Sequence, residues 1–153
     1  MQSKKLEFKR IIPEMDASLA FFFKQIIAEG DDKIFHPHAF DDETASKIAG
    51  SMGMDQYLVV MLDDKIVGYG MLRGWDEGYE IPSLGMIIHK SMRGHGIGMA
   101  FIIYLHSVAI VCGAKAVRLS VYESNDKAIR LYKKVGYSFS SQGDGKLIGK
   151  WTS

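Results

Sequence analysis

Between Ser83 and Ala100 the chain reads Ser-Leu-Gly-Met-Ile-Ile-His-Lys-Ser-Met-Arg-Gly-His-Gly-Ile-Gly-Met-Ala. A short run of β-formers, Leu84 to Ile88, meets glycines at 94, 96 and 98, and the long apolar segment Met99 to Cys112 then has helical length. Glycine admits positive φ and close backbone approach, so successive N–H groups can converge on an anion. A helix starting there adds unpaired N–H groups and the positive end of its dipole. A phosphate cradle is one reading and a plain strand-to-helix connector is the other. No Gly-Lys-Ser/Thr closes the turn, which excludes a Walker loop. No acidic residue falls within Ala114 to Ser120, where a dinucleotide fold needs one for the ribose.

A second stretch follows, Val121-Tyr-Glu-Ser-Asn-Asp-Lys-Ala-Ile-Arg-Leu-Tyr-Lys-Lys-Val-Gly-Tyr137. Together the two resemble the GNAT superfamily of acyl-CoA-dependent N-acyltransferases. Its first motif, Arg/Gln-x-x-Gly-x-Gly/Ala, is met by Arg93, Gly96 and Gly98. Its second is an Asn, an Ala three residues on, then Leu-Tyr and a Gly-aromatic pair, met by Asn125, Ala128, Leu131, Tyr132, Gly136 and Tyr137. The resemblance implies an α+β fold of three α/β/α layers. It has a mixed, mostly antiparallel sheet of about seven strands with one splayed parallel pair, and about four helices. A single domain over residues 1–153 is expected.

The order of elements can be read independently. Leu6 to Ile12 alternates and ends at Pro13, a strand. Asp16 suits an N-cap for a helix carrying Leu19, Phe22, Phe23, Ile26 and Ile27, closed by Gly30. Asp41 to Gly50 reads as a second helix. Gln56 to Leu62 and Ile66 to Arg73 form a hairpin, and Tyr79 to His89 a further strand that Pro82 should disrupt. Ile97 to Cys112 is apolar nearly all round, which predicts burial over most of its surface. Lys115 to Tyr122 is a strand, Asp126 to Val135 a helix, and Tyr137 to Ser141 with Lys146 to Trp151 a closing hairpin.

Nineteen basic against eighteen acidic side chains leave almost no net charge, which argues against a nucleic-acid binder held by phosphate neutralisation. No apolar run reaches the roughly 18 residues of a spanning helix, and no signal-peptide pattern follows the basic N-terminus, so a cytoplasmic protein is expected. Cys112 stands alone and can form neither an internal disulfide nor a zinc site; it reads as a small buried hydrophobe. His36 and His38 flank Pro37 without a third ligand at metal spacing, so no metal is expected. By resemblance this segment walls the acceptor site, and the two histidines are candidate substrate contacts or plain loop residues.

Attack of an amine on a thioester requires loss of a proton, donors for an oxyanion, and stabilisation of the departing thiolate. The resemblance implies that Met86, Ile87 and Ile88 lend backbone groups to the pantetheine of acetyl-CoA. It implies that Arg93, Gly94, His95, Gly96, Ile97, Gly98 and Met99 hold the pyrophosphate, and that Asn125, Ala128 and Tyr132 complete the cofactor site. Tyr132 is the candidate acid. Glu80, on the strand entering the glycine turn, is the candidate base, with Glu77, Asp76 and His89 as rivals. The expected function is transfer of an acetyl group from acetyl-CoA to a primary amine of a small molecule within a ternary complex. A protein or peptide N-acetyltransferase and a non-catalytic acyl-CoA sensor are the alternatives, and a monomer or a homodimer is left open.

Overall fold

The computed structural model describes residues 3–153. Its strands are β1 (Leu6–Arg10), β2 (Gln56–Leu62), β3 (Lys65–Arg73), β4 (Ser83–Ile88), β5 (Ala116–Tyr122), β6 (Ser138–Ser141) and β7 (Lys146–Thr152). Its helices are α1 (Asp16–Ala28), α2 (Asp42–Ala49), α3 (Ile97–Val111) and α4 (Asp126–Lys134). The strands form one mixed sheet in the order β1-β2-β3-β4-β5-β7-β6, antiparallel throughout except for the β4–β5 pair. The expected α+β architecture is what the chain adopts.

Two cores follow from the period-2 alternation of the strands. One face of the sheet carries Val59, Met61, Tyr69, Met71 and Ile87, and α1 and α2 cover it with Leu19, Phe22, Phe23, Ile26 and Ile48. The opposite face carries Leu58, Val60, Leu72, Leu84, Ile88, Val117, Leu119 and Val121, covered by Ile97, Phe101, Ile102, Leu105 and Ala109 of α3 and by Tyr132 of α4. Gly70 lets α3 sit close, since a Cβ there would meet Phe101 Cζ at 2.8 Å.

Capping is mostly as the sequence predicts. Asp41 Oδ1 accepts from Thr44 N–H at 2.8 Å at the start of α2, and Gly30, at φ 75°, lies just past the end of α1. Asp16 is the first residue of α1 rather than its cap, and its carboxylate accepts from Ser46 Oγ at 2.9 Å, tying α1 to α2.

Three expectations need correction. Helix α3 is not buried over most of its surface: Ile103, Ile110 and Val111 are 53%, 49% and 87% exposed, because one sheet face covers only one side of a helix. Cys112 lies exposed at its C-terminal end. Strand β4 begins at Ser83, so Tyr79 to Pro82 precede it. Gly74 and Gly78, at φ 124° and 90°, fold residues 74–78 into a tight turn. Asp55 Oδ1 accepts from the N–H groups of Gly74 and Asp76, and the Asp76 carboxylate accepts from those of Met54 and Asp55.

Strands β4 and β5 part almost at once. Their only paired position is Ser83 with Arg118, joined by Arg118 N–H donating to the Pro82 carbonyl at 3.0 Å. Each is fully paired on its other edge, β4 with β3 and β5 with β7. Neither therefore needs the other beyond Ser83, and a wedge opens between them.

Candidate active site

The wedge is a cleft of about 920 Å³, at the upper end of the range typical for small-molecule and cofactor sites. Strand parity gives it two distinct faces. On the α3 and α4 face lie Leu84, Met86 and Ile88 of β4, Val121 of β5, and from the helices Gly98, Asn125, Leu131 and Tyr132. The other face has Met71, Arg73, Ser83 and Gly85 from β3 and β4, Ser120 and Tyr122 from β5, and Lys146 from β7. Phe35, His36 and Pro37, from the connection between α1 and α2, roof that second face.

At the mouth, Gly94 and Gly96 both have φ near +80°, and Gly96 is the N-cap of α3. No side chain caps this helix, and no acidic residue sits in its first turn. The first intrahelical N–H to find a partner is that of Ala100, which donates to the Gly96 carbonyl at 3.1 Å. The N–H groups of Ile97, Gly98 and Met99 are left without helical acceptors, as at any helix start. A Cβ built on Gly94 or Gly96 would meet no protein atom within 4 Å, so the space over the turn is open. Uncapped donors, an open approach and no competing carboxylate fit an anionic pyrophosphate. Beyond Ser83 the β5-facing edge of β4 has no strand partner, which leaves the backbone groups of Met86 and the N–H of Ile88 for an extended arm, the Ile88 carbonyl being taken by Arg93.

Eleven of the thirteen residues expected to hold the cofactor line the cleft, and His95 and Ile97 do not. His95 is exposed on the outer side of the turn, and the Ile97 side chain is buried in the core, so only its backbone can serve. Arg93 does more than its motif suggests. Its Nε donates to the Ile88 carbonyl at 2.8 Å and its Nη2 to Asp31 Oδ2 at 2.9 Å, fastening the glycine turn to the segment after α1. Beside it, His89 Nδ1 accepts from Ser91 N–H, which directs Nε2 toward Glu29 Oε1 at 2.8 Å. That approach falls outside hydrogen-bond geometry, and His89 lies outside the cleft lining.

Tyr132 is 8% exposed and lines the cleft, and burial pushes its phenol up to about 12, so it stays neutral. Asn125 caps α4, its Oδ1 accepting from Ala128 N–H at 3.4 Å, and its amide NH₂ is left for other partners. Glu80, expected as the base, lies in an exposed bend before β4, and it, Asp76 and Glu77 are all outside the cleft lining. The turn at Gly74 to Gly78 removes all three carboxylates from the strand that enters the glycine turn.

The two candidate histidines separate. His38 donates from Nδ1 to the Ala39 carbonyl and accepts at Nε2 from the Tyr69 hydroxyl, both at 2.8 Å, and it packs on Phe23 and Phe40. Burial lowers its pKa, and it is a structural residue. His36 lines the cleft, with Nε2 2.7 Å from the Tyr122 hydroxyl on the far side of the wedge. Tyr122 was not singled out by motif, although its position at the end of β5, level with the glycine turn, was a usable signal. Among the described residues no cluster of three metal-ligating side chains occurs, and no helix is long and apolar enough to cross a membrane.

Known proteins share this arrangement. A model of the acetyltransferase (GNAT) family matches residues 19–137. An acetyltransferase from Pectobacterium atrosepticum is 34% identical over 83 residues, 54% of this chain and 57% of the relative, so the match spans little more than half of that protein's length. The fold superposes on yncA from Salmonella typhimurium, solved with its cofactor acetyl-CoA, with a TM-score of 0.77 at 17% identity, covering 96% of this chain and 93% of that one. It likewise superposes on the ribosomal-protein-S5-alanine acetyltransferase from Vibrio fischeri, with a TM-score of 0.77 at 12% identity over 99% and 95% of the two chains. With the family's motifs lying at the wedge and its profile covering both motifs and both cores, the chain belongs to the GNAT acetyltransferase family.

Proposed function

We propose that this protein is an N-acetyltransferase that transfers an acetyl group from acetyl-CoA to the primary amine of a small molecule by direct attack within a ternary complex. The observation that carries the reading is the wedge between β4 and β5, with an uncapped, glycine-built helix N-terminus at its mouth. Acetyl-CoA, when bound, supplies the activated acetyl thioester. In this reading the turn from Arg93 to Met99 binds the pyrophosphate, and the unpaired edge of β4 with Asn125 orients the pantetheine. Free N–H groups on that edge receive the developing oxyanion.

Tyr132, neutral and lining the same face, donates a hydrogen bond from its hydroxyl to the sulfur as it leaves as thiolate. His36 takes the amine proton, because no carboxylate among the described residues lines the cleft and imidazole is a side chain type suited to proton exchange near neutral pH. A covalent relay through Cys112 is disfavoured: that thiol is at the other end of α3, about 22 Å from its first turn at 1.5 Å per residue. The roof of Phe35 to Pro37, joined to Tyr122 across the wedge, favours a small acceptor over an extended peptide.

The test is in two parts. Acetyl-CoA at about 100 times its dissociation constant adds about 2.7 kcal/mol, which for a chain of this size raises the melting temperature by about 5–10 °C. Release of free CoA thiol is then followed across amines, amino acids, amino sugars and peptides. No thermal shift refutes the reading, and a shift without turnover on any amine leaves an acyl-CoA sensor.

A further inference from the structure

The roofed face of the cleft is cationic. Lysine and arginine side chains line the cleft at six positions, and aspartate and glutamate at none. The six divide by location. Lys127, Arg130 and Lys134 share one stripe of α4, whose Leu131 lies 3.5 Å from a Cβ built on Gly98, beside the glycine turn. Arg93 is in the turn itself. These four surround the end that suits phosphates, but Arg73 and Lys146 do not belong with them.

Arg73 is paired with Ser83, at the closed end of the wedge, five residues along β3 from Gly68, which pairs with Ile88 at the open end. At about 3.4 Å per residue that is about 17 Å from the level at which the glycine turn begins. By parity Arg73 shares the roofed face with Met71, and Lys146 shares it with Tyr122, over whose ring its ammonium lies at 5.2 Å. Arg73 Nη2 donates to the Pro37 carbonyl at 2.9 Å, which fixes the guanidinium under the roof. That partner is neutral, and no carboxylate forms an ion pair with Arg73 or Lys146 among the described residues. A half-buried guanidinium held by the Pro37 carbonyl and beside the Tyr57 phenol, both neutral, keeps N–H donors to spare and has no ion pair.

We infer that the acceptor is an amine carrying a carboxylate, with Arg73 binding that carboxylate in the roofed half of the cleft and Lys146 adding a second positive charge. This rests on the acetyltransferase reading above and narrows its substrate class. The acidic segment Gly74 to Glu80 lies outside the lining and offers the acceptor no negative charge. The separation is physical: a second cation on the acceptor would meet only like charge here, whereas an anion removes an unfavourable field.

The experiment compares matched acceptors, α-amino acids against their amides and against the amines left by decarboxylation, at saturating acetyl-CoA. Charge-assisted hydrogen bonds of this kind are worth about 10–100-fold, so the carboxylate member should show kcat/KM higher by that factor, mostly through KM. Arg73→Met should level the three, and Arg73→Lys should restore part of the preference, since an ammonium supplies charge without the planar fork. Calorimetry of the same amines on the protein without acetyl-CoA reads the subsite independently of turnover. Equal or better use of the amide or decarboxylated amine by the unaltered protein overturns the inference, as does turnover confined to polycationic amines or peptides. Either result leaves the acetyltransferase reading intact when acetyl-CoA still shifts the melting temperature; failure of that shift removes the acetyltransferase reading instead.

Discussion

Tyr132→Phe separates two roles that a buried phenol can play. Tyr132 lines the cleft, and burial raises its pKa to about 12. A thiol of the cysteine type has a pKa of about 8.5, so complete transfer of the phenolic proton to the thiolate would be uphill by about 3.5 pKa units, or about 5 kcal/mol. Tyr132 is therefore a hydrogen-bond donor to sulfur that keeps most of its proton, and its loss should cost less than a full general acid. A hydrogen bond to a charged group is worth about 1.5–3 kcal/mol, which predicts a fall in kcat of about 10–100-fold. The affinity for acetyl-CoA should change little, because the thioester sulfur is uncharged until the transition state.

Folding gives an independent check on the same variant. Among the described residues the hydroxyl has no hydrogen-bond partner, so removing it should leave the unliganded melting temperature unchanged or slightly higher. The assay is turnover on the best amine, with calorimetry for CoA binding and a thermal melt of the free protein. Undiminished kcat would refute the role of the hydroxyl. A fall beyond about 10⁴-fold would refute the energetic argument, since it would require full proton transfer.

The remaining expectations concern the glycine turn and a buried histidine. Gly96→Ala puts a side chain at φ 80°, a cost of about 1–2 kcal/mol, and sets a methyl group in the open space over the turn. It should weaken acetyl-CoA binding by calorimetry far more than it lowers the melting temperature. Gly98→Ala meets Leu131 at 3.5 Å, Met86 at 3.8 Å and Ile88 at 4.0 Å, all ordinary contacts, and should melt near the unaltered protein. His106 is 5% exposed, stacked on Trp151 and bonded to the Tyr137 hydroxyl at 2.7 Å, with a pKa lowered by burial to about 4. The unfolded chain, with histidine near 6.5, binds the proton first. Stability is therefore lost as pH falls from about 6.5 to about 4, by up to about 3 kcal/mol. Denaturant titrations over that range should show the loss, and a His106→Gln variant should flatten it.

The local chemistry was legible along the chain. Glycines at 94 and 96 determined a turn of positive φ, Asp41 and Asn125 determined caps, and alternation in β2 and β5 determined which residues face a core. Each depends on groups a few residues apart, and the two family motifs are of the same short range. What local pattern could not decide was which side chains end up in the cleft. Glu80 has the parity of a strand residue, yet the reciprocal bonds of Asp55 and Asp76, carboxylates 21 positions apart, turn the chain before the strand begins. Apolar residues all round α3 gave no measure of how many neighbours would cover it, because burial requires a second surface and only one sheet face is present.

His36 and His38 show the same division most clearly. Two positions apart and alike in sequence, one is committed to Tyr69 within the core and the other reaches Tyr122, 86 residues away, across a wedge. The wedge exists because β4 and β5 each find full pairing on their outer edges. The cationic roofed face is likewise a product of strand register, which brings Arg73, Tyr122 and Lys146 from three strands onto one side. Short-range pattern determined the glycine-turn end of the cleft, and long-range pairing decided its roofed end, since only the sheet brings such distant residues together.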